Sequence, residues 1–461
     1  MSKVDIQQQL RRLPAVDKVL ATDEVSALKQ QLLPHLVDSA VRREVDAARA
    51  RILDGGDAVA IEPAAIAQRA GEQLHASLTP GVRRCINATG VVLHTGLGRA
   101  VLPPAAIEAI RSELGGYSIV SIDQADGARI RRETSIARIL SALTGCEAAT
   151  IVNNNAAATV IALNTLAAGR EAILSRGQLV EIGGSFRMPD VFEASGVKLR
   201  EVGTTNRTHL ADYARAINEQ TGLLLRVHPS NYKVIGFTCE PTIEELAALA
   251  TERGLPLMDD LGAGALVELP PEPVVMESIR AGADLVTCSG DKLIGGPQAG
   301  VILGKKEWVD RVRGNPLFRA LRVDKLTLTA LEATLRLFLR PQGPADDHPS
   351  LRMLTLGADR LDARAQALAE RIRTEAAHLG VETCPGFSQV GSGSMPGESL
   401  PTTLVRVTHP DLSASAFARR LRFGDPPLYT RIVDEATCLD PRTLLDENEE
   451  ADVVRLLKET R

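Results

Sequence analysis

Apolar residues in the first eighty positions recur at steps of three and four. Val25, Leu28, Leu32, Leu36, Val41, Val45, Ala48 and Ile52 trace one helical face, which Gly55-Gly56 stops and Pro34 kinks or splits. Pro63 suits a first helical turn, and Ile66, Ala70, Leu74 and Leu78 follow it at helical spacing before Pro80-Gly81. Residues 1–80 therefore read as a small helical module. Beyond them the rhythm changes. Short apolar runs at Ala149–Val152, Ala172–Leu174, Lys198–Val202, Leu223–Val227, Pro256–Met258, Leu285–Cys288 and Gly300–Leu303 read as strands. Amphipathic stretches such as Leu210–Asn218 and Ile243–Arg253 separate several of them, the alternation expected of a mostly parallel sheet covered by helices.

A helix from about Thr327 to Leu339 leads into Pro341–Pro349, whose composition marks a boundary. After it come a helix near Leu361–Leu379, a Gly/Ser loop at Gly391–Gly397, a strand at Thr403–Val407 and a helix from Ser413. The expected organisation is an N-terminal helical domain (1–80), a large α/β domain (81–340) and a small C-terminal α+β domain (341–461).

Composition changes this picture little. The chain has 461 residues, enough for two or three cores, and a formal charge of -5 gives no global pull towards nucleic acid or anionic membrane. Its six cysteines are dispersed, with no CxxC pair and no metal-ligand spacing, which suits reduced thiols. No apolar run approaches the roughly 20 residues of a membrane span, and the polar start lacks a secretory pattern. A cytoplasmic location is expected.

Candidate chemistry sits at strand ends. Lys292 lies in Ser289-Gly290-Asp291-Lys292-Leu293-Ile294-Gly295-Gly296, directly after a strand, where α/β sheets build ligand sites. A lysine fixed there and partly neutral can condense with a carbonyl group. One strand earlier, Asp259 and Asp260 end an apolar run. Pyridoxal phosphate needs an acid beside its ring nitrogen, and adjacent strand residues face opposite ways, so only one of the two can serve. Asp260, nearer the strand tip, is the better placed; capping of the following turn is the plainer use of both. A third part, Asn153-Asn154-Asn155-Ala156, leads from a strand into an alanine-rich helix whose N-terminus can hold a phosphate. Asn154 and Asn155 would cap that helix with or without one. Together the three parts define a pyridoxal-phosphate site, with Ser289 and Asn231 as further cofactor contacts. Arg319 and Arg322, three apart, would share a helix face and suit an anion, and Arg99 beside His94 is a third candidate.

Longer blocks carry a family resemblance. Leu10–Leu20, Asn87–Arg99, Ile151–Ala158, Ser175–Val191, Val202–Thr208, Ser230–Phe237, Asp260–Gly264, Ser289–Gly300, Leu321–Leu337 and Ser388–Ser394 resemble bacterial selenocysteine synthases, the L-seryl-tRNA(Sec) selenium transferases. The resemblance implies an aspartate-aminotransferase-like fold, pyridoxal-phosphate fold type I, with a tRNA-binding N-terminal helical domain and assembly into a decameric ring of dimers. It implies that Lys292 holds the cofactor as a Schiff base, that Asp260 faces the pyridine nitrogen, and that Arg99, Arg319 and Arg322 meet the selenium donor. The implied reaction removes the Cα proton of serine esterified to tRNA(Sec), expels the β-hydroxyl to give a dehydroalanyl group, and adds selenium from selenophosphate, with Lys292 moving protons. Two stretches depart from the family pattern. Thr95-Gly96-Leu97-Gly98-Arg99 has glycine where asparagine is usual, and Gly127-Ala128-Arg129-Ile130-Arg131-Arg132 replaces a Gly-x-Arg-Gly-x-Arg pattern.

Within the helical module Arg11, Arg12, Lys18, Arg42, Arg43, Arg49 and Arg51 are nearly balanced by acids, so tRNA binding there rests on the resemblance alone. Two rival functions remain at this level. One is a related pyridoxal-phosphate lyase acting on a small amino acid or amino sugar acid, for which the block Leu10–Leu20 would be superfluous. The other is a non-catalytic RNA-binding protein on the same fold, against which the Asp260/Lys292 pair argues.

Overall fold

The computed structural model describes residues 3–54, 60–184 and 186–460. The chain forms two compact units, Met1–Arg84 and Cys85–Arg461.

The first unit is helical: α1 (Lys3–Arg12), α2 (Val16–Leu20), α3 (Asp23–Gln31), α4 (Pro34–Leu53) and α5 (Pro63–Leu78). Pro34 splits the long apolar pattern by opening α4, where its missing N–H costs nothing. Gly55-Gly56 lies outside the described residues. Val25, Val37, Val41, Val45, Ile66, Ala70 and Leu74 close a core between α3, α4 and α5. Within it Glu44 is buried and accepts from Arg51, Arg69 and Gln73, so this carboxylate is paired from three sides. The periodicity shows α3 to α5, whereas α1 and α2 precede the first apolar residue used to read it.

The second unit is built on a seven-stranded sheet. Its strands are β1 (Ala148–Val152), β2 (Glu171–Ser175), β3 (Lys198–Val202), β4 (Thr221–Val227), β5 (Leu257–Gly262), β6 (Leu285–Ser289) and β7 (Gly300–Gly304). Every expected strand is present. The order is β1-β7-β6-β5-β4-β2-β3. From β6 through β5, β4 and β2 to β3 neighbours run parallel, and β7 is antiparallel to both β6 and β1. Two apolar layers cover the faces, one around Ile161, Leu163, Phe192 and Leu225, the other around Ile139, Leu140, Val286 and Leu331. Burial on both faces explains the apolar runs of β1, β2, β4, β6 and β7, whereas β3 at the sheet edge is mostly exposed and carries Lys198, Arg200 and Glu201.

Helix α6 (Asn155–Ala167) leaves β1 at once, α7 (Ile243–Arg253) crosses from β4 to β5, and α8 (Lys325–Leu337) is capped by Asp324. A second, antiparallel sheet of β8 (Gly380–Ser388), β9 (Leu400–Thr408), β10 (Arg431–Val433) and β11 (Ala436–Leu439) packs on α9 (Ala358–Glu375) and α10 (Glu447–Lys458). Ile86 and Ala88 belong to this layer's core, because Ile86–Asn87 pairs with Leu428–Tyr429. The segment that opens the second unit thus joins its last layer.

Candidate active site

The carboxyl ends of β4, β5 and β6 face the N-terminus of α6 across a cavity of about 590 Å³. Lys292 reaches it from the turn after β6. Gly290 donates to Ala299, Gly296 to Gly290 and Ala100 to Asp291, so the turn is pinned on both sides. Gly295 is needed twice. Its φ is +72°, and a Cβ there would lie 2.1 Å from the His348 ring. That ring accepts the Leu351 N–H at Nδ1 and hydrogen-bonds Ile294 O through Nε2. Lys292 is 6% exposed, and burial, then the Arg99 charge, lower its pKa below the ordinary 10.5. Asp291, Asp260 and Glu272 pull the other way. The amine is thereby biased towards its neutral, nucleophilic form.

The two strand carboxylates separate as pleating requires. Asp259 turns away from the cavity, accepting from Arg226 at 3.1 Å and Ser278 at 2.6 Å. Asp260 opens onto the cavity, where Asn155 Nδ2 donates at 2.9 Å and Thr159 Oγ1 at 2.8 Å. It also accepts the Gly262 N–H at 3.2 Å, so a turn-capping role coexists with the open face. The strand runs on to Gly262 rather than ending at the carboxylates, and a register shift between Asp260 and Gly262 releases the chain. Burial raises the Asp260 pKa, and the Asn155 and Thr159 donors lower it. A buried carboxylate held by neutral donors is suited to receive a cationic N–H.

Asn154 caps α6 by accepting from Ala157 at 2.8 Å. The N–H groups of Asn155 and Ala156 have no acceptor within the helix and line the cavity. Ser289 lines it as well. Asn231 does too, though its amide donates to Glu181 O at 2.7 Å. Asn155 Oδ1 and Ser230 Oγ are buried against the cavity without partners among the described residues. Orphaned polar atoms of this kind fit a polar ligand. A helix N-terminus for a phosphate, a carboxylate for a pyridine nitrogen and a partly neutral lysine for an aldehyde together fit pyridoxal phosphate.

The arginines divide. Arg99 lines the cavity and holds Asp291 at 2.6 Å, from a backbone φ of +63°. Arg319 and Arg322 are exposed and do not line it. The short helix Leu317–Ala320 ends before Arg322, so the two do not share a helix face. They gather instead with Arg129 and Arg132, whose charges, Arg132 foremost, lower the Arg322 pKa. Leu321 between them accepts the Asn153 N–H at 3.0 Å, which ties this basic edge to the start of α6. His94 stands behind Thr95 with its Nδ1 buried and unpartnered, off the cavity lining.

Sequence reasoning missed Thr159, His228, Ser392 and Gly393. Thr159 lies one helical turn beyond Asn155, so the two share a helix face. His228 directly follows β4 and was open to the same strand-end rule as Lys292. Ser392 and Gly393 come from the Gly/Ser loop, and no local pattern announces their return to this cavity.

The fold and the site define an α/β enzyme of pyridoxal-phosphate fold type I. A solved structure of D-glucosaminate-6-phosphate ammonia-lyase shares the fold, with a TM-score of 0.58 and 23% identity over 83% of this chain and 98% of that one. The family model for L-seryl-tRNA selenium transferase matches residues 85–445, and the chain belongs to that family. It is 46% identical to the L-seryl-tRNA(Sec) selenium transferase of Nitratidesulfovibrio vulgaris, over 97% of this chain and 98% of that protein. The protein of the same name from Desulfomicrobium baculatum is also 46% identical, over 95% and 96%.

Proposed function

We infer that this enzyme converts L-seryl-tRNA(Sec) to L-selenocysteinyl-tRNA(Sec), with selenophosphate as selenium donor and pyridoxal 5'-phosphate as cofactor. The observation that carries it is identity of 46% over 97% of the chain, a span that takes in the N-terminal helical unit as well as the catalytic fold. Bound in the cavity, the cofactor supplies an electron sink for the charge left when a proton leaves the seryl Cα. Lys292 would hold its aldehyde carbon, Asp260 would hold its ring nitrogen protonated, and the N–H groups of Asn155 and Ala156 would hold its phosphate. Lys292 would also be the base that takes the seryl Cα proton and would pass one to the departing β-oxygen. Its lowered pKa supports that duty.

We assign the selenium donor, a compact anion, to Arg99 with help from the basic edge of Arg319 and Arg322. The repulsion among Arg129, Arg132, Arg319 and Arg322 supports this, because an anion relieves it. His94 is assigned to support of the Arg99 loop, since its carbonyl accepts the Arg99 N–H at 3.0 Å. The helical unit is assigned to tRNA. Assembly as a decameric ring of dimers is part of the same reading, supported by exposed Tyr117, Ile119, Ile235 and Phe237. A cytoplasmic location accords with six dispersed cysteines that form no CxxC pair. Among the described residues no helix is long and apolar enough to cross a membrane.

The test is incubation of the purified enzyme with seryl-tRNA(Sec) and radiolabelled selenophosphate. Label appearing as selenocysteine esterified to the tRNA supports the reading; unchanged seryl-tRNA, with active selenophosphate present, refutes it.

A further inference from the structure

One buried carboxylate behind the cavity lining, against His228, has no part in the account above. Glu272 comes from the loop after β5, and its side chain is 2% exposed. One oxygen accepts the Met395 N–H. The other lies 3.5 Å from His228 Nε2. A carboxylate this deep is costly to keep unless its partners serve a purpose. His228 lines the cavity beside Asp260, whose backbone carbonyl accepts the His228 N–H at 2.9 Å. Lys292 feels the Glu272 charge as well.

The sheet order says what this pair would meet. Along β1-β7-β6-β5-β4, the N-terminus of α6 follows β1, Lys292 follows β6, Asp260 lies near the carboxyl end of β5, and His228 follows β4. The phosphate subsite and His228 therefore lie on opposite flanks of the Lys292–Asp260 pair. On the cofactor ring, the phosphate arm and the phenolic oxygen occupy opposite flanks of the axis from the aldehyde-bearing carbon to the ring nitrogen. With the aldehyde at Lys292, the nitrogen at Asp260 and the phosphate at α6, the phenolic oxygen must point towards β4. We propose that His228, oriented by Glu272, hydrogen-bonds the cofactor's phenolic oxygen and so sets its protonation. This rests on the cofactor placement given above. Glu272 Oε2 takes the proton on His228 Nε2, which leaves Nδ1 for the cofactor, an arrangement in which a carboxylate fixes one ring nitrogen so that the other can act. Glu272, which acts through His228, is a positioning residue. Ser230 Oγ is the competing partner on this flank, but it lies towards Gly262 and Gly393, within 3.7 Å of where their Cβ atoms would stand.

The charged groups facing this pair are Asp260 from β5, Lys292 and Asp291 from the turn after β6, and Arg99, so the readout must report the cofactor itself. The experiment is a pH titration of the visible absorption band of the cofactor-loaded enzyme, without tRNA, in wild type, His228→Gln, Glu272→Gln and Ser230→Ala. His228→Gln should move the midpoint by about one unit or more and weaken cofactor retention about tenfold. Glu272→Gln should move the midpoint in the same direction by less, and Ser230→Ala should leave it at the wild-type value. The proposal is overturned if both the His228 and Glu272 variants titrate as wild type, or if Ser230→Ala alone moves the midpoint. Absence of any band in the loaded wild type overturns the cofactor placement with it. Failure to convert seryl-tRNA(Sec) alongside the expected spectral shifts would count against the proposed function only.

Discussion

Burial disfavours the charged form of Lys292 and Asp260 alike, yet their settings differ. The lysine has a cation beside it in Arg99, while the aspartate is held by neutral donors. Capture of an aldehyde needs the neutral amine, so the rate of cofactor incorporation should rise with pH and level off at a midpoint below 10.5. Arg99→Gln should move that midpoint upward, because it removes the charge that lowers the lysine pKa and frees Asp291, which raises it. Stopped-flow incorporation across pH checks both; a midpoint unaffected by the Arg99 change would contradict the electrostatic account. The neighbouring carboxylates provide a contrast. Asp260→Asn should cut turnover on the order of a hundredfold with little change in folding stability. Asp259→Asn breaks the buried pair with Arg226, and should instead cost on the order of 2 kcal/mol of stability while leaving the cofactor bound. Denaturant unfolding and cofactor absorbance separate the two outcomes. Which of the adjacent pair faces the cavity was legible in advance, since pleating allows only one. That Thr159 and Asn155 hold it was not, because the contact joins residues about a hundred positions apart.

At the level of elements, the lysine turn and the start of α6 are built by close backbone approach. Gly295→Ala would drive a Cβ into the His348 ring and force a side-chain-bearing residue to a φ of +72°. It should lower the melting temperature by several degrees and release the cofactor, read by thermal unfolding with and without added pyridoxal phosphate. Most of the strands were legible because they are short apolar runs buried on both faces, a pattern that needs no partner to be recognised. Helices α4 and α5 were legible from their periodicity, and α5 also from its first-turn Pro63. The arginine arrangement was not: Arg319 and Arg322 have helical spacing, but the helix stops at Ala320 and tertiary neighbours set their positions. His228 was open to the strand-end rule yet passed over, since such a residue gains weight only with its buried partner Glu272, 44 positions later.

For the whole molecule, each compact unit has its own apolar core. A chain limited to residues 85–461 should fold and bind pyridoxal phosphate with a visible band like that of the full chain, yet lose conversion of seryl-tRNA(Sec). Retained conversion would remove the helical unit from tRNA recognition. The shift from helical to alternating periodicity near residue 80 falls close to the division between the two units at Arg84, whereas the return of Ile86 and Ala88 to the last layer was hidden by its distance from Leu428. The central claim is that Lys292 carries the cofactor on which seryl-tRNA(Sec) is processed. Its most direct test is borohydride reduction of the enzyme followed by peptide mass mapping, with absorption spectra recorded before and after adding seryl-tRNA(Sec). The account predicts a phosphopyridoxyl mass on the peptide containing Lys292, and a band of roughly 410–430 nm that changes when the charged tRNA is added. A label on another lysine, or a band indifferent to that tRNA, would contradict it.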